Sequence, residues 1–297
     1  MFPAPGATWI RARNLIYLAT AAYLVAGAAA FVWLLASGNF RWLVFYLHVP
    51  GAVLLVSLAA GALWLSYCVR CEFTSGEPLQ TAWQLVCAAA AVELLGEIGS
   101  QLLGPDSKVN PLWRAPWWSP KLANAARDWG LFLGGPCRFG LMAAGFLFAL
   151  KVYQRAGFLG RLRALDWTML IGAALYTGVE IAYVALAILN GKRPGLAEIA
   201  HFPTDPLLVL LLVEGLFLYR SVQEMGPGLI GACWKTFSIG VFLIVLGDLS
   251  IMFLPYVAWP WSALGSFIWF PAAAAFAVAP TFQLEAIAKA RASRSRP

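Results

Sequence analysis

Charged side chains interrupt several stretches of this sequence that are otherwise apolar. The set comprises Glu93, Glu97, Arg138, Glu180, Glu214 and Asp248. A charge in the middle of a membrane helix costs about 2.5–3.5 kcal/mol on insertion scales, so such groups are normally paired, neutralised or turned toward a cavity. Glu93, Glu97 and Gln101 follow one another at intervals of four residues, which places them on one face of a helix.

Two interpretations of these charges stay open. In the first, Arg138 pairs with one carboxylate, the other acids are protonated, and the set orders the packing of the helices. In the second, which we favour because charge inside a membrane is functional by default, the side chains line a polar pocket that opens outward. Such a pocket would hold a cation, a proton path or the polar head of a substrate. We assign no metal site to these residues.

The two histidines form a second candidate site, with a tryptophan-rich stretch between them in the sequence. His48 and His201 are both expected on the outer side, and the stretch 111–120 contains Trp113, Trp117 and Trp118. Two imidazoles beside an aromatic platform could hold a haem, because histidine is a common axial ligand. The alternative is structural: tryptophan prefers the membrane interface, His48 bonds a backbone carbonyl there, and His201 is solvated.

The segment Tyr46-Leu47-His48-Val49-Pro50, followed by a helix of small residues, resembles the haem-handling WWD-domain family of cytochrome c maturation. The resemblance covers helices 1 to 4 and implies an outward-facing axial histidine at His48. It also implies a tryptophan-rich outer segment between helices 3 and 4, and His201 as a second ligand by its order and side. The tryptophan signature of that family ends in Trp-Asp, whereas Trp118 is followed by Ser119 here. The implied role is transfer or export of haem to a periplasmic acceptor.

The elements that position these groups are membrane helices. Of the 297 residues, 61% are hydrophobic and 12% are charged, about half the charge of a soluble domain. Apolar runs of about 20 residues predict an all-α bundle of eight transmembrane helices in a single domain, residues 1–297. The predicted spans are 14–37, 42–66, 80–103, 129–153, 166–190, 206–223, 228–254 and 257–284, with an outer loop over 104–128.

The distribution of basic residues predicts the orientation of these helices. Placing both ends in the cytoplasm leaves more Lys and Arg on the cytoplasmic side, as the positive-inside rule expects. The net charge of +7 is therefore interpreted as a topology signal, and no nucleic-acid partner is expected. The predicted location is the inner membrane of a bacterial-type cell, with the lipid bilayer and a periplasmic or membrane protein as partners.

Three functions are compatible with these patterns. The first is handling of haem or another cofactor at the periplasmic face, which a colourless, haem-free preparation from haem-replete cells would contradict. The second is a membrane-embedded enzyme or a cation-coupled transporter that uses the carboxylate cluster. The third is a non-catalytic sensor or an accessory subunit of a larger membrane complex, which would co-purify with stoichiometric partners.

Overall fold

The computed structural model describes residues 6–38, 41–104, 119–157, 164–191, 203–223, 228–253 and 263–294. Throughout these ranges the regular elements are helices. In chain order they are α1 (Ala7–Ser37), α2 (Arg41–Tyr46), α3 (Ala52–Cys71), α4 (Pro78–Glu97), α5 (Pro120–Phe132), α6 (Arg138–Arg155), α7 (Ala164–Leu189), α8 (Thr204–Gln223), α9 (Leu229–Phe253) and α10 (Ala263–Arg294).

Six helical segments within the described ranges are long and apolar enough to cross a membrane, so the chain is a multi-pass membrane protein. They are Ala7–Ser37, Arg41–Cys71, Pro78–Leu102, Pro120–Arg155, Leu229–Gly247 and Phe267–Arg294. The other two predicted spans, 166–190 and 206–223, fall on α7 and α8. Both of these are helices, but neither is among the six.

Several boundaries differ from the predicted ones: α1 begins at Ala7 and not at 14, α3 continues to Cys71 and not to 66, and two further differences have identifiable reasons. Residues 120–128, predicted as outer loop, are helical because Ser119 caps α5 and Pro120 occupies its first position. The Ser119 side chain accepts a hydrogen bond from the backbone N–H of Leu122 at 3.3 Å. At the other end of the chain α10 continues from the predicted limit at 284 to Arg294.

Ion pairs join the extension of α10 to the start of α1 and to the residue that follows α3. Glu285 lies 3.0 Å from Arg13 of α1 and 2.7 Å from Lys289 one turn further along α10. Arg291 pairs with Glu72 just beyond α3. The beginning of α1 and the end of α10 therefore lie at the same end of the bundle, and we call it the basic end.

Three short π-helical turns interrupt the long helices at the end of the bundle opposite the basic end. They span Leu47–Gly51 between α2 and α3, Ile98–Leu102 after α4, and Leu133–Cys137 between α5 and α6. Pro50 and Pro136 explain two of them, since proline lacks the backbone N–H and its ring clashes with the carbonyl four residues earlier. In the turn Ile98–Leu102, the N–H of Leu103 donates to the carbonyl of Ile98 at 3.0 Å.

The core lies between α4, α6, α8, α9 and α10. Its centre is aromatic and consists of four almost fully buried rings. Those of Trp83 and Phe146 each contact the rings of Trp234 and Phe237. The indole Nε1 of Trp234 donates to the hydroxyl of Tyr153 at 3.1 Å, which satisfies a polar group that burial would otherwise destabilise. This rigid centre fixes the helices whose interrupted ends form the candidate site.

Candidate functional site

A cavity of about 400 Å³ lies where the interrupted helices meet. Its polar lining residues are His48, Glu93, Glu97, Ser100, Gln101, Arg138, Thr204 and Asp205. Its apolar lining residues include Leu47, Leu55, Phe139, Ile244, Trp269, Phe270, Ala272 and Ala273. Binding pockets for small molecules typically range from about 300 to 1,000 Å³, so the cavity is large enough for an organic ligand.

A buried ion pair forms one wall of the cavity. Nη1 of Arg138 lies 2.6 Å from Oε2 of Glu93, and both residues are less than a tenth exposed. The guanidinium carbon of Arg138 lies 4.8 Å and 4.9 Å from the ring centroids of Phe139 and Phe276. The ring faces and the carboxylate together replace the water that the arginine would otherwise need.

Glu97 lines the same cavity one helical turn beyond Glu93, but its environment differs. Gln101, one turn further on, forms a hydrogen bond with Glu97. The other carboxyl oxygen, Oε2, is buried and has no hydrogen-bond partner among the described residues. Buried polar atoms are nearly always satisfied, so this oxygen is expected to bind a proton, a water molecule in the cavity or a polar group of a ligand.

Glu93, Glu97, Ser100 and Gln101 form the polar wall of the cavity, which is held in place by contact between two helix backbones. A Cβ atom placed on Gly130 of α5 would lie 2.5 Å from the backbone nitrogen of Ser100 and 2.7 Å from the carbonyl oxygen of Gly96. A Cβ on Gly96 would lie 2.7 Å from the backbone nitrogen of Gly134. Glycines on both sides therefore let α4 and α5 touch, which is how small residues promote packing of membrane helices.

All three π-helical turns contribute to the lining. His48 comes from the first, Ser100 and Gln101 from the second, and Gly134 and Gly135 from the third. π-helical turns occur frequently at functional sites, and non-helical backbone at membrane depth is tolerated where it lines a cavity. Because all three turns meet at the cavity, we infer that the local helix geometry is specific to this site.

The structure brings together four of the residues singled out in the sequence: His48, Glu93, Glu97 and Arg138 all line the cavity. Glu214 lies apart, since it is ten residues along α8 from Thr204, or about 15 Å at the helical rise. Its carboxyl is buried, and neither oxygen has a hydrogen-bond partner in the described part of the chain.

The remaining candidates cannot be placed against the cavity. The side chains of Glu180 and Asp248 lie outside the described residues, although both positions belong to helices. His201, Trp113, Trp117 and Trp118 also lie outside the described ranges. The pairing of two histidines across a tryptophan platform therefore stays a prediction.

Sequence reasoning missed the residues that shape the cavity around its charges. Gly130 and Gly134 are spaced as Gly-x-x-x-Gly, a pattern that indicates close helix packing in membranes. Pro50 and Pro136 interrupt apolar segments, which is the best sequence signal for a binding site in a membrane carrier. Trp269 and Phe270 carry no such signal, because aromatic residues are common throughout an apolar helix.

Searches with protein-family models, among curated proteins and among solved structures found no match for this chain.

Proposed function

We propose that this chain is a cation-coupled carrier of a bacterial-type inner membrane, with the cavity as its ligand site. The observation that carries the proposal is a cavity between interrupted helices in which Glu93 and Glu97 face a single arginine, Arg138. Carriers place their ligand and coupling-ion sites among discontinuous membrane helices of this kind. A membrane-embedded enzyme that uses the same carboxylates is the less favoured function.

Coupling of ligand transport to proton movement would arise from the different environments of the two glutamates. Glu93 is held by Arg138, whereas one oxygen of Glu97 is buried without a partner. We infer that Glu97 is the group that gains and loses a proton as the ligand binds and leaves. Because Arg138 lies close to both carboxyls, loss of the proton from Glu97 would make that carboxylate compete with Glu93 for the arginine.

The expected topology has eight spans with both termini in the cytoplasm and the cavity in the outer half of the bilayer. The ion pair between Arg13 of α1 and Glu285 of α10 supports an even number of spans, because it brings both termini to one side. The basic end then lies in the cytoplasm, where the positive-inside rule places Lys and Arg.

Cysteine labelling tests this orientation. Cys71, exposed at the basic end of α3, is kept as the only cysteine, and the other four are replaced by alanine. We expect a membrane-impermeant maleimide to label Cys71 only after the cells are permeabilised. A Ser37→Cys variant of a cysteine-free chain, at the opposite end of α1, should react in intact cells. Labelling of Cys71 in intact cells would overturn the orientation.

Proton-coupled uptake tests the carrier proposal. Purified protein is reconstituted in vesicles containing a pH-sensitive dye, and a panel of small organic cations, anions and neutral compounds is added one at a time. At least one compound should move protons with wild-type protein, and Glu97→Gln should reduce that flux by about tenfold or more, by analogy with loss of a positioned proton-transfer group.

The matched control is Glu77→Gln, because Glu77 is exposed at the start of α4, far from the cavity. It should keep the wild-type flux. The carrier proposal fails if no compound moves protons with wild-type protein, or if Glu97→Gln keeps the full coupled flux.

Haem handling is the second candidate function, favoured by the position of His48 in the cavity lining. His48 is the one imidazole among the described lining residues, and no group of three or more metal-ligating side chains is found within the described ranges. In this second function His48 would be one axial ligand, and His201 would be the other.

A further inference from the structure

The charge of the cavity lining favours a positively charged ligand. Among the described lining residues Glu93, Glu97 and Asp205 are acidic, and Arg138 is the basic one. Arg138 is already engaged by Glu93 at 2.6 Å. A cationic donor would satisfy the unpartnered oxygen of Glu97, whereas an anionic ligand would add a further negative charge in a site of low dielectric constant.

The apolar part of the lining favours a ligand with an apolar or aromatic body. Trp269 and Phe270 are consecutive residues near the start of α10, and each contributes to the cavity lining. The ring of Phe270 packs at 4.2 Å against that of Tyr23, and the indole of Trp269 lies over Gly247 of α9. These contacts fix the two rings, so they form a preformed aromatic surface of the kind that attracts organic cations.

The dimensions and donor set argue against an inorganic cation as the main occupant. A cavity of about 400 Å³ is many times larger than a single ion. The described residues also contain no group of three or more His, Cys, Asp or Glu side chains that could hold a metal. An ion alone would leave the aromatic part of the lining without a contact.

We propose that the cavity binds an amphipathic organic cation, a ligand that carries an ammonium group on an apolar or aromatic body. The ammonium group lies at Glu97, and the body lies against Trp269 and Phe270. This inference rests on the proposed function, because it names the ligand class of the same cavity. Binding of such a ligand can nevertheless be measured without any transport assay.

Calorimetric titration of the full chain in detergent tests the ligand class with three probes of similar shape. Phenethylammonium carries the positive charge, 2-phenylethanol is neutral, and phenylacetate is negative. We expect wild-type protein to bind the cation about tenfold or more tightly than the neutral probe, since a hydrogen bond to a charged group contributes more than a neutral one. Phenylacetate should bind more weakly than either.

Variants locate the charge recognition within the cavity. Glu97→Gln should remove most of the preference for the cation, and Glu97→Asp should restore part of it. Trp269→Ala should weaken both the cation and the neutral probe, because both lose the same aromatic contact. Glu77→Gln, on the exposed start of α4, should bind all three probes like wild-type protein.

The outcomes separate this inference from the carrier proposal. If wild-type protein binds the neutral or negative probe as tightly as the cation, the inference is wrong, and this comparison needs no variant to fold. If the cation binds through Glu97 but no compound drives proton flux, the carrier proposal fails and the ligand class stands. If only neutral or anionic compounds drive proton flux, the carrier proposal stands and the assignment of an organic cation as ligand fails.

Discussion

Replacing Arg138 with methionine is expected to lower the free energy of unfolding by about 3–5 kcal/mol, because it leaves the Glu93 carboxylate without its partner in a buried site. Arg138 and Glu93 are only 6% and 9% exposed, so the carboxylate has little contact with bulk water to replace the lost ion pair. The loss of contact with the Phe139 and Phe276 rings adds to the effect. The measurement is a denaturant titration in mixed detergent micelles, followed by circular dichroism.

Two further variants separate the ion pair from the size of the side chain. The double variant Glu93→Gln with Arg138→Met removes both charges, so it should recover much of the stability that the single change loses. Arg155→Met makes the same replacement at the exposed end of α6 and should stay within about 0.5 kcal/mol of wild type. Equal losses in the single and double variants would show that packing dominates.

Measuring proton flux with the same double variant separates the two interpretations of the charged residues. If Glu93 and Arg138 serve only to order the helices, the double variant should fold and keep the proton flux described above. If the pair also takes part in coupling, the double variant should fold but lose that flux. The distinction matters because a buried ion pair alone is weak support for function: it forms wherever two opposite charges are forced out of lipid.

The sequence was sufficient to predict the helical membrane fold, because long apolar runs leave the backbone few alternatives in lipid. It also placed Glu93, Glu97 and Gln101 on one helix face, and all three line the cavity. It could not show which carboxylate forms the ion pair with Arg138. Glu93, Glu97 and Glu214 are equally acidic in sequence, and only the packing of α4 against α6 brings Glu93 within 2.6 Å of the arginine.

Helix ends and interruptions were predicted less well than helix interiors. The start of α5 depends on a local cap at Ser119, which a search for apolar runs does not detect. The π-helical turns at Pro50 and Pro136 lie inside apolar segments, so hydropathy treats each as continuous. The backbone contact at Gly96 and Gly130 joins two segments that are distant in the chain; the spacing of Gly130 and Gly134 indicates close helix packing but does not identify Gly96 as the partner.

That contact gives the second large expected effect. Gly130→Ala should destabilise the protein by about 1–3 kcal/mol or more, because overpacking forces neighbouring atoms to move. The added methyl group would lie 2.5 Å from the backbone nitrogen of Ser100. A backbone cannot turn aside as a flexible side chain can, so α4 and α5 must separate. The change should appear as a lower midpoint in thermal unfolding of the detergent-solubilised protein.

Gly61→Ala supplies the matched control for this prediction. Gly61 lies within α3, and a Cβ placed on it meets no atom within 4 Å. Alanine should therefore be tolerated or stabilise the helix by about 0.5–1 kcal/mol, since glycine is the poorer helix former. If Gly130→Ala and Gly61→Ala unfold at the same temperature, the helices are not in backbone contact at Gly130. The position of Glu97 on the polar wall would then need another explanation, because that contact sets the distance between α4 and α5 beside the cavity.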